Sequence, residues 1–425
     1  MSVPGATVVV TETLPSGLRL VTESIPHVRS VAVGVWLKRG SRHESDAEAG
    51  VAHFLEHMLF KGTTTRSAQA IAQTIDSIGG QLDAFTAKEY VGYYIKVLDE
   101  HLPLAVDLLA DMVLRPALTP GDVEREQGVI LEEIKMVEDA PEDLVHEVFL
   151  QQFWDRHALG RPILGTPDTV RSFTADGVRA YFDRTYIAPN VIVTAAGHLD
   201  RDRLARLVED AFRDLTPGDA RLDAEPPAVS PGLVVREKEI EQSHVCLGTV
   251  AYPHAHADRH ALFVMNMILG GSMSSRLFQH IREARGLAYA VWSSLISYSD
   301  AGALTVYAGC AAESVREVVD LTVAELAALR STPVEPEELQ RAKDHLKGSL
   351  MLSLENTTSR MSQLARHELL FGHQFTLDEI VSSIDAVTAD DVQRVSTDLF
   401  QDGASVATIV GPAMPGTITV DNLKV

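Results

Sequence analysis

Apolar and polar positions along this chain change period several times, and the same succession of changes occurs in both halves. Near the start, VVVTETL, LRLVTES and SVAVGVWLKRGSRHE are short β-rich runs that read as strands. After the middle, LVVREKE and SHVCLGTVAYPHA read the same way. The first half then continues with an apolar helix (AGVAHFLEHMLFKGT), a polar helix ending in glycines (AQAIAQTIDSIGG) and two strands, QLDAFTA and YVGYYIKVL. The second half answers with ALFVMNMILGGSM, SRLFQHIREARGLA, YAVWSSLIS and GALTVYAGCA. Longer helical patterns follow in each, LPLAVDLLADMVL and VREVVDLTVAELAALR. Such an echo predicts a diverged internal duplication, with each half an α+β unit of sheet and packed helices. Between them, TPGDARLDAEPPAVSPG has no hydrophobic period and reads as a linker. The expected division is therefore residues 1–215, a linker at 216–232, and residues 233–425.

A length of 425 residues agrees with two domains, and 45% hydrophobic with 23% charged residues describes a globular protein. The formal net charge of −22 repels phosphate backbones, which argues against nucleic acid as a partner. It attracts basic peptides, although solubility is the simplest consequence of such a charge. No Gly-rich phosphate loop follows a strand, so nucleotide binding has no support. Only Cys246 and Cys310 are present, a supply that suits a reducing compartment. No signal-peptide pattern and no apolar run of about 18 residues is visible. The cytoplasm is the expected location, with no membrane partner.

One segment does not fit a purely structural helix. VAHFLEHMLFKGT places His53, Glu56 and His57 among apolar neighbours. Residues four apart on a helix differ by about 40° in azimuth, so both imidazoles can meet one ion with Glu56 in the same arc. The order H-x-x-E-H is that of an inverzincin, in which two histidines bind zinc and the glutamate handles a proton. Taken alone, the pattern is equally compatible with satisfied core histidines.

A second helix adds the missing ligand. In LTPGDVEREQGVILEEIKMVEDAPED, Thr119 reads as N-cap, Pro120 opens the first turn, and Pro141 limits the far end. Val123, Ile130, Ile134 and Val137 form an apolar stripe, bordered by Glu126 and Glu133, whereas Glu132 faces away. Carboxylates on the packed side of a helix require partners such as a metal. Glu133 is therefore expected as third ligand and Glu126 as the residue that orients a histidine or the water. The alternative is a pair of surface acids on a helix exposed all round.

HFLEHMLFKGT, with a glutamate 76 positions after His57, resembles the pitrilysin-type (M16) metallopeptidases. Within them the chain is most similar to the mitochondrial processing peptidase β subunit and its bacterial relatives. The resemblance extends through GTPDTVRSFTADGVRAYFDRTYIAPNVIVTAAGHLD and SSRLFQHIREARGLAYAVWS, nearly the whole chain. It implies the LuxS/MPP-like metallohydrolase fold, two homologous domains each with a mostly antiparallel sheet packed with helices. It also implies one Zn2+ per chain on His53, His57 and Glu133, with Glu56 as general base and Glu126 in support. Arg282 and Tyr289 in REARGLAY resemble the pair that reaches the bound peptide and its scissile carbonyl; without the resemblance, Arg282 reads as an exposed helix residue and Tyr289 as core.

The family usually has Asn-Ala-aromatic-Thr in the strand beside the site, and here that strand reads Asp83-Ala84-Phe85-Thr86. The resemblance gives Ala84, Phe85 and Thr86 to the substrate, bound by β-augmentation, with Asp83 altering local charge. The implied activity is zinc-dependent endopeptidase action on extended or presequence-like peptides, in a homodimer. Relatives that have lost their ligands serve as non-catalytic scaffold subunits, the alternative for this chain. His254, His256 and His260 form a looser cluster after Pro253, read as surface residues, and no second H-x-x-E-H occurs in the second half.

Overall fold

The computed structural model describes residues 8–218, 225–401, 403–412 and 416–425. Strands run in chain order as β1 (Val9–Thr13), β2 (Arg19–Ser24), β3 (Ser30–Leu37), β4 (Gln81–Thr86), β5 (Val91–Leu98) and β6 (Val191–Gly197). The later strands are β7 (Gly232–Glu237), β8 (Ser243–Ala251), β9 (Ala288–Ser297), β10 (Gly302–Cys310) and β11 (Val406–Gly411). Helices of the first half are α1 (Val51–Leu59), α2 (Ala68–Ser77), α3 (Leu102–Leu114), α4 (Pro120–Asp139), α5 (Pro141–Phe153), α6 (Pro167–Ser172), α7 (Ala175–Thr185) and α8 (Arg201–Phe212). Those of the second are α9 (Arg259–Leu269), α10 (Val315–Ser331), α11 (Pro336–Ser353), α12 (Thr357–Phe371), α13 (Leu377–Asp385) and α14 (Ala389–Leu399).

Two mixed sheets result, ordered β1-β2-β6-β3-β5-β4 and β7-β11-β8-β10-β9. In the first, only β2 and β6 pair in parallel; in the second, only β7 and β11 do. The rest of each ladder is antiparallel, as the resemblance implied. Each half therefore supplies one α+β sheet, and the duplicated pattern of the sequence is a duplicated topology.

The compact units do not follow the halves throughout. One comprises residues 1–134, 162–224 and 353–374, and the other 135–161, 225–352 and 375–425. The expected boundary at 216–232 thus misses two exchanged segments: α5 packs in the second unit and α12 in the first. The reason is burial. β6, β10 and β11 are buried at every position, so both faces of each sheet need cover. In the first unit one face packs on α1, α3, α7 and α8, and the other carries Met361, Leu364 and Ala365 of α12 against Val21, Trp36 and Ile192. In the second unit, Leu144, Val145, Phe149 and Phe153 of α5 cover Cys246, Tyr307 and Val410. Ion pairs of buried carboxylates fasten α12, Arg19 Nε to Glu368 Oε1 at 2.7 Å and Arg360 to Glu23. Of the linker, residues 225–231 have no regular structure and 219–224 lie outside the described residues. Among the described residues, no helix is long and apolar enough to cross a membrane.

Candidate metal centre and family

The site is built on α1. Gly50 precedes the helix at φ 95°, and a Cβ there would come within 2.7 Å of the Leu164 carbonyl oxygen, so only glycine fits this turn. The first turn is capped by Glu44, whose two oxygens accept from the backbone N–H groups of Gly50 (2.9 Å) and Ala52 (2.7 Å). Val51, Ala52, Phe54, Leu55, Met58 and Leu59 are buried. That leaves His53, Glu56, His57 and Lys61 half-buried on the remaining face.

The second element is α4. The Thr119 hydroxyl accepts from the Asp122 N–H at 3.2 Å, the expected cap, and the helix breaks at Ala140 before Pro141. Val123 and Ile130 are buried, Ile134 and Val137 half-buried, Glu126 is only 2% exposed, and Glu132 is exposed. The helix is therefore packed along the stripe read from the sequence, not exposed all round.

Together the two helices bring His53, His57 and Glu133 to one point. One nitrogen of each ring and one oxygen of Glu133 all lie within 4.8 Å of one another, the one such cluster of acidic, histidine or cysteine ligands among the described residues. His53 Nε2 is 3.8 Å from Glu133 Oε2, and His57 Nε2 is 3.6 Å from Glu133 Oε1. Tetrahedral ligands about 2.0–2.1 Å from zinc stand roughly 3.3 Å apart, so small side-chain rotations suffice to close this set around an ion.

Electrostatics point the same way. Burial, then the neighbouring His57, holds His53 at about 4, neutral as a ligand must be. Burial alone would lower His57 too, but the hydrogen bond to Glu126 and the charge of Glu133 raise it above its ordinary value. The acids around His57 thus favour positive charge, and a divalent cation satisfies them as a proton does. Behind it, Glu126 Oε1 lies 2.7 Å from His57 Nδ1 and Oε2 lies 2.7 Å from Lys61 Nζ. Those two hydrogen bonds outweigh burial and keep Glu126 below the usual carboxylate range. Burial raises Glu56, and the Thr86 hydroxyl opposes the shift by donating to Oε2 at 2.6 Å.

Thr86 stands at the end of β4, the last strand of its sheet, which among the described residues pairs only with β5 and leaves its other edge open. Ala84 packs on the main core, while Phe85 meets Trp36 edge-on at 5.9 Å. Asp83 accepts from the Tyr94 hydroxyl at 3.0 Å. Lys61 and the contact of Thr86 with Glu56 were not anticipated. Lys61 carried a legible signal, since it follows His57 by four residues.

In the second unit, Arg282 lies in a π-helical turn at Phe278–Glu283 and Tyr289 at the start of β9. The Arg282 guanidinium stacks 5.0 Å from the Tyr289 ring and 4.7 Å from that of Phe278. Tyr289 is 78% exposed, so its reading as core without the resemblance is overturned. Of the histidine cluster, His256 stacks on Tyr252 and His260 lies against Phe263.

Two family models match the chain: "Insulinase (Peptidase family M16)" over residues 19–167 and "Peptidase M16 inactive domain" over residues 172–346. An uncharacterized zinc protease of Bacillus subtilis (strain 168), YmxG, is 44% identical over 397 residues, covering 93% of this chain and 97% of the relative. The chain belongs to peptidase family M16. A second M16 relative, an uncharacterized zinc protease of Streptomyces coelicolor, is 42% identical over 94% of this chain and 89% of its own. Among solved structures, a protease from Helicobacter pylori matches with a TM-score of 0.89 at 22% identity, over 95% of this chain and 100% of that one. An M16 inactive domain from Pseudomonas fluorescens matches at 0.90 and 21%, over 96% and 98%. These two show the same fold. The first M16 model spans His53, Glu56, His57, Glu126 and Glu133, and the second spans Arg282 and Tyr289.

Proposed function

We propose that this chain is a zinc-dependent endopeptidase acting on extended peptides. The observation that carries the reading is the convergence of His53, His57 and Glu133 with Glu56 beside them on the same helix face. Relatives named as zinc proteases, 42–44% identical across the chain, support a peptidase role and zinc as the metal. His53, His57 and Glu133 would hold the ion, which supplies Lewis acidity and brings the pKa of a water towards about 7.

The remaining steps belong to the protein's own groups. Thr86 fixes one oxygen of Glu56 and leaves the other to accept a proton from the attacking water and return it to the leaving amine. The open edge of β4 presents backbone groups at Ala84 and Phe85 to an extended peptide, which adds as a strand. Arg282 and Tyr289 form an exposed pair, a guanidinium braced on a phenol ring. Tyr289 donates to the developing oxyanion and Arg282 holds a peptide carbonyl or carboxylate, in a homodimer that unites both features. With 59 acidic against 37 basic residues, basic peptides are favoured substrates.

The rival is a non-catalytic scaffold of the same fold. A purified chain and its Glu56→Gln variant, incubated with a diverse peptide mixture and analysed by mass spectrometry, separate the two. Cleavage is expected from the wild type and a drop of about 10²–10⁴-fold from the variant, with zinc retained in both. Zinc-loaded protein that cuts nothing overturns the peptidase reading. Cleavage that ignores salt and the presence of Lys or Arg overturns the preference for basic peptides.

A further inference from the structure

Lys61 has no part in the ligand set or the proton transfer, yet its ammonium lies 2.7 Å from Glu126 Oε2 while Glu126 Oε1 lies 2.7 Å from His57 Nδ1. Glu126 is 2% exposed, and a carboxylate so placed needs a cation or donors on both oxygens to remain charged. Among the described residues, Lys61 is the one cation it meets apart from the histidine it would orient. A carboxylate anchored in this way accepts from Nδ1–H of His57, which fixes the ring's tautomer and leaves the Nε2 lone pair facing Glu133.

The stem of Lys61 is itself held. Its N–H donates to the Met58 carbonyl at 3.1 Å, and the chain then turns through Gly62 at φ 119°. Beyond the turn, Asp111 of α3, 1% exposed, accepts from the Thr63 and Thr65 hydroxyls and from Arg66, each at 2.7 Å, and from Arg115 at 3.0 Å. This buried carboxylate is saturated with donors and pins residues 63–66, so the segment leaving α1 has little freedom at Lys61.

We infer that Lys61 is a positioning residue: it clamps Glu126, and through Glu126 sets the orientation of the His57 ring towards the metal. The inference rests on the zinc reading above and adds a residue to it. Among the described residues, the ion pair of the Lys61 ammonium is with Glu126. Its effect on metal binding therefore passes entirely through Glu126.

The test is a titration of apo protein with zinc against a fluorescent chelator, for wild type, K61M, K61R, E126Q and the K61M/E126Q double variant. K61M is expected to weaken zinc binding about 10-fold, at the lower end of the range for groups behind the ligands. K61R should recover most of it, because a guanidinium can still meet the Glu126 oxygen. Adding K61M to E126Q should cost nothing further, and the cobalt-substituted K61M should show a shifted visible absorption band. The melting temperature of the apo protein, followed in parallel, should be nearly the same for K61M and K61R, so that a zinc difference between them is not one of folding. Zinc binding by K61M equal to wild type overturns the inference. So does an additional loss in the double variant, or a K61R as weak as K61M. A wild type that binds no zinc overturns instead the zinc reading on which the inference rests.

Discussion

The helices α1 and α9 hold the same place in the two sheets, each following the strand that runs through the sheet's middle, yet they differ in what they present. In α1 the exposed side of the apolar stripe carries His53, Glu56 and His57; in α9 it carries His260, Phe263, Asn266 and Met267. Both helices are tied to the outer strand of their sheet by a hydroxyl. Thr86 donates to the Glu56 carboxylate at 2.6 Å, and Ser293 donates to the Asn266 carboxamide at 2.8 Å. The second long helix after the hairpin differs likewise: α4 buries Glu126, whereas α11 buries Lys343, whose ammonium donates to the Asp385 carbonyl at 2.9 Å. Burial pattern and topology are shared, and the sign and identity of the polar groups are not. The fold asks only for apolar positions at helical spacing; the residues between them are free to bind a metal or not.

The largest effect that probes this difference is expected at α4. Glu133→Gln should weaken zinc binding by more than the roughly 10–100-fold typical of changes behind the ligands, and abolish cleavage. Glu132→Gln, exposed one residue away, should change neither. Chelator competition measures both, and equal losses would mean that α4 acts through general acidity and not through a ligand.

Smaller effects are expected in the two cores. Phe54 under α1 and Met265 under α9 are both fully buried, so truncation to alanine should cost about 3–5 and 2–5 kcal/mol respectively in urea unfolding. Only Phe54→Ala should also weaken zinc binding, because it loosens the helix that carries both imidazoles. A metal defect in Met265→Ala would break the contrast between the halves.

How much of this was legible follows from the range over which each signal acts. The H-x-x-E-H face and the stripe on α4 are local periodicities, so the convergence of His53, His57 and Glu133 and the burial of Glu126 could be read from spacing. The two sheets were legible as repeated strand and helix runs. The exchange of α5 and α12 was not, because helical periodicity says that a face is apolar without saying which sheet it covers. Met361 and Leu364 meet Trp36 and Ile192, residues distant from them in sequence, a choice made by the uncovered face of the first sheet. Lys61 follows His57 by about one helical turn, but that spacing does not separate an ordinary solvated lysine at a helix end from one paired with Glu126, which the packing of α4 decides. Without the resemblance Tyr289 reads as core because its strand is apolar, whereas its position at the outer strand of the sheet leaves it exposed.

The smallest predicted effect concerns pH. Burial, with Arg39 nearby, holds His43 at about 4 in the folded chain against 6.5 in its ordinary state. The unfolded chain then takes up that proton first, so stability is lost as pH falls from about 6.5 towards 4. At about 1.4 kcal/mol per pKa unit the full loss is on the order of 3 kcal/mol. A His43→Gln chain, melted at pH 7 and pH 5, should show a smaller drop than wild type. An equal drop would place the acid sensitivity elsewhere.

One half of the duplicated fold is expected to hold the metal and the other to hold none. Metal content per chain, measured on purified wild type, the His53→Ala/His57→Ala double variant and His260→Ala, tests it most directly. One zinc per chain is expected in wild type and in His260→Ala, and essentially none in the double variant. Zinc retained after loss of His53 and His57, or lost with His260 of α9, would contradict it.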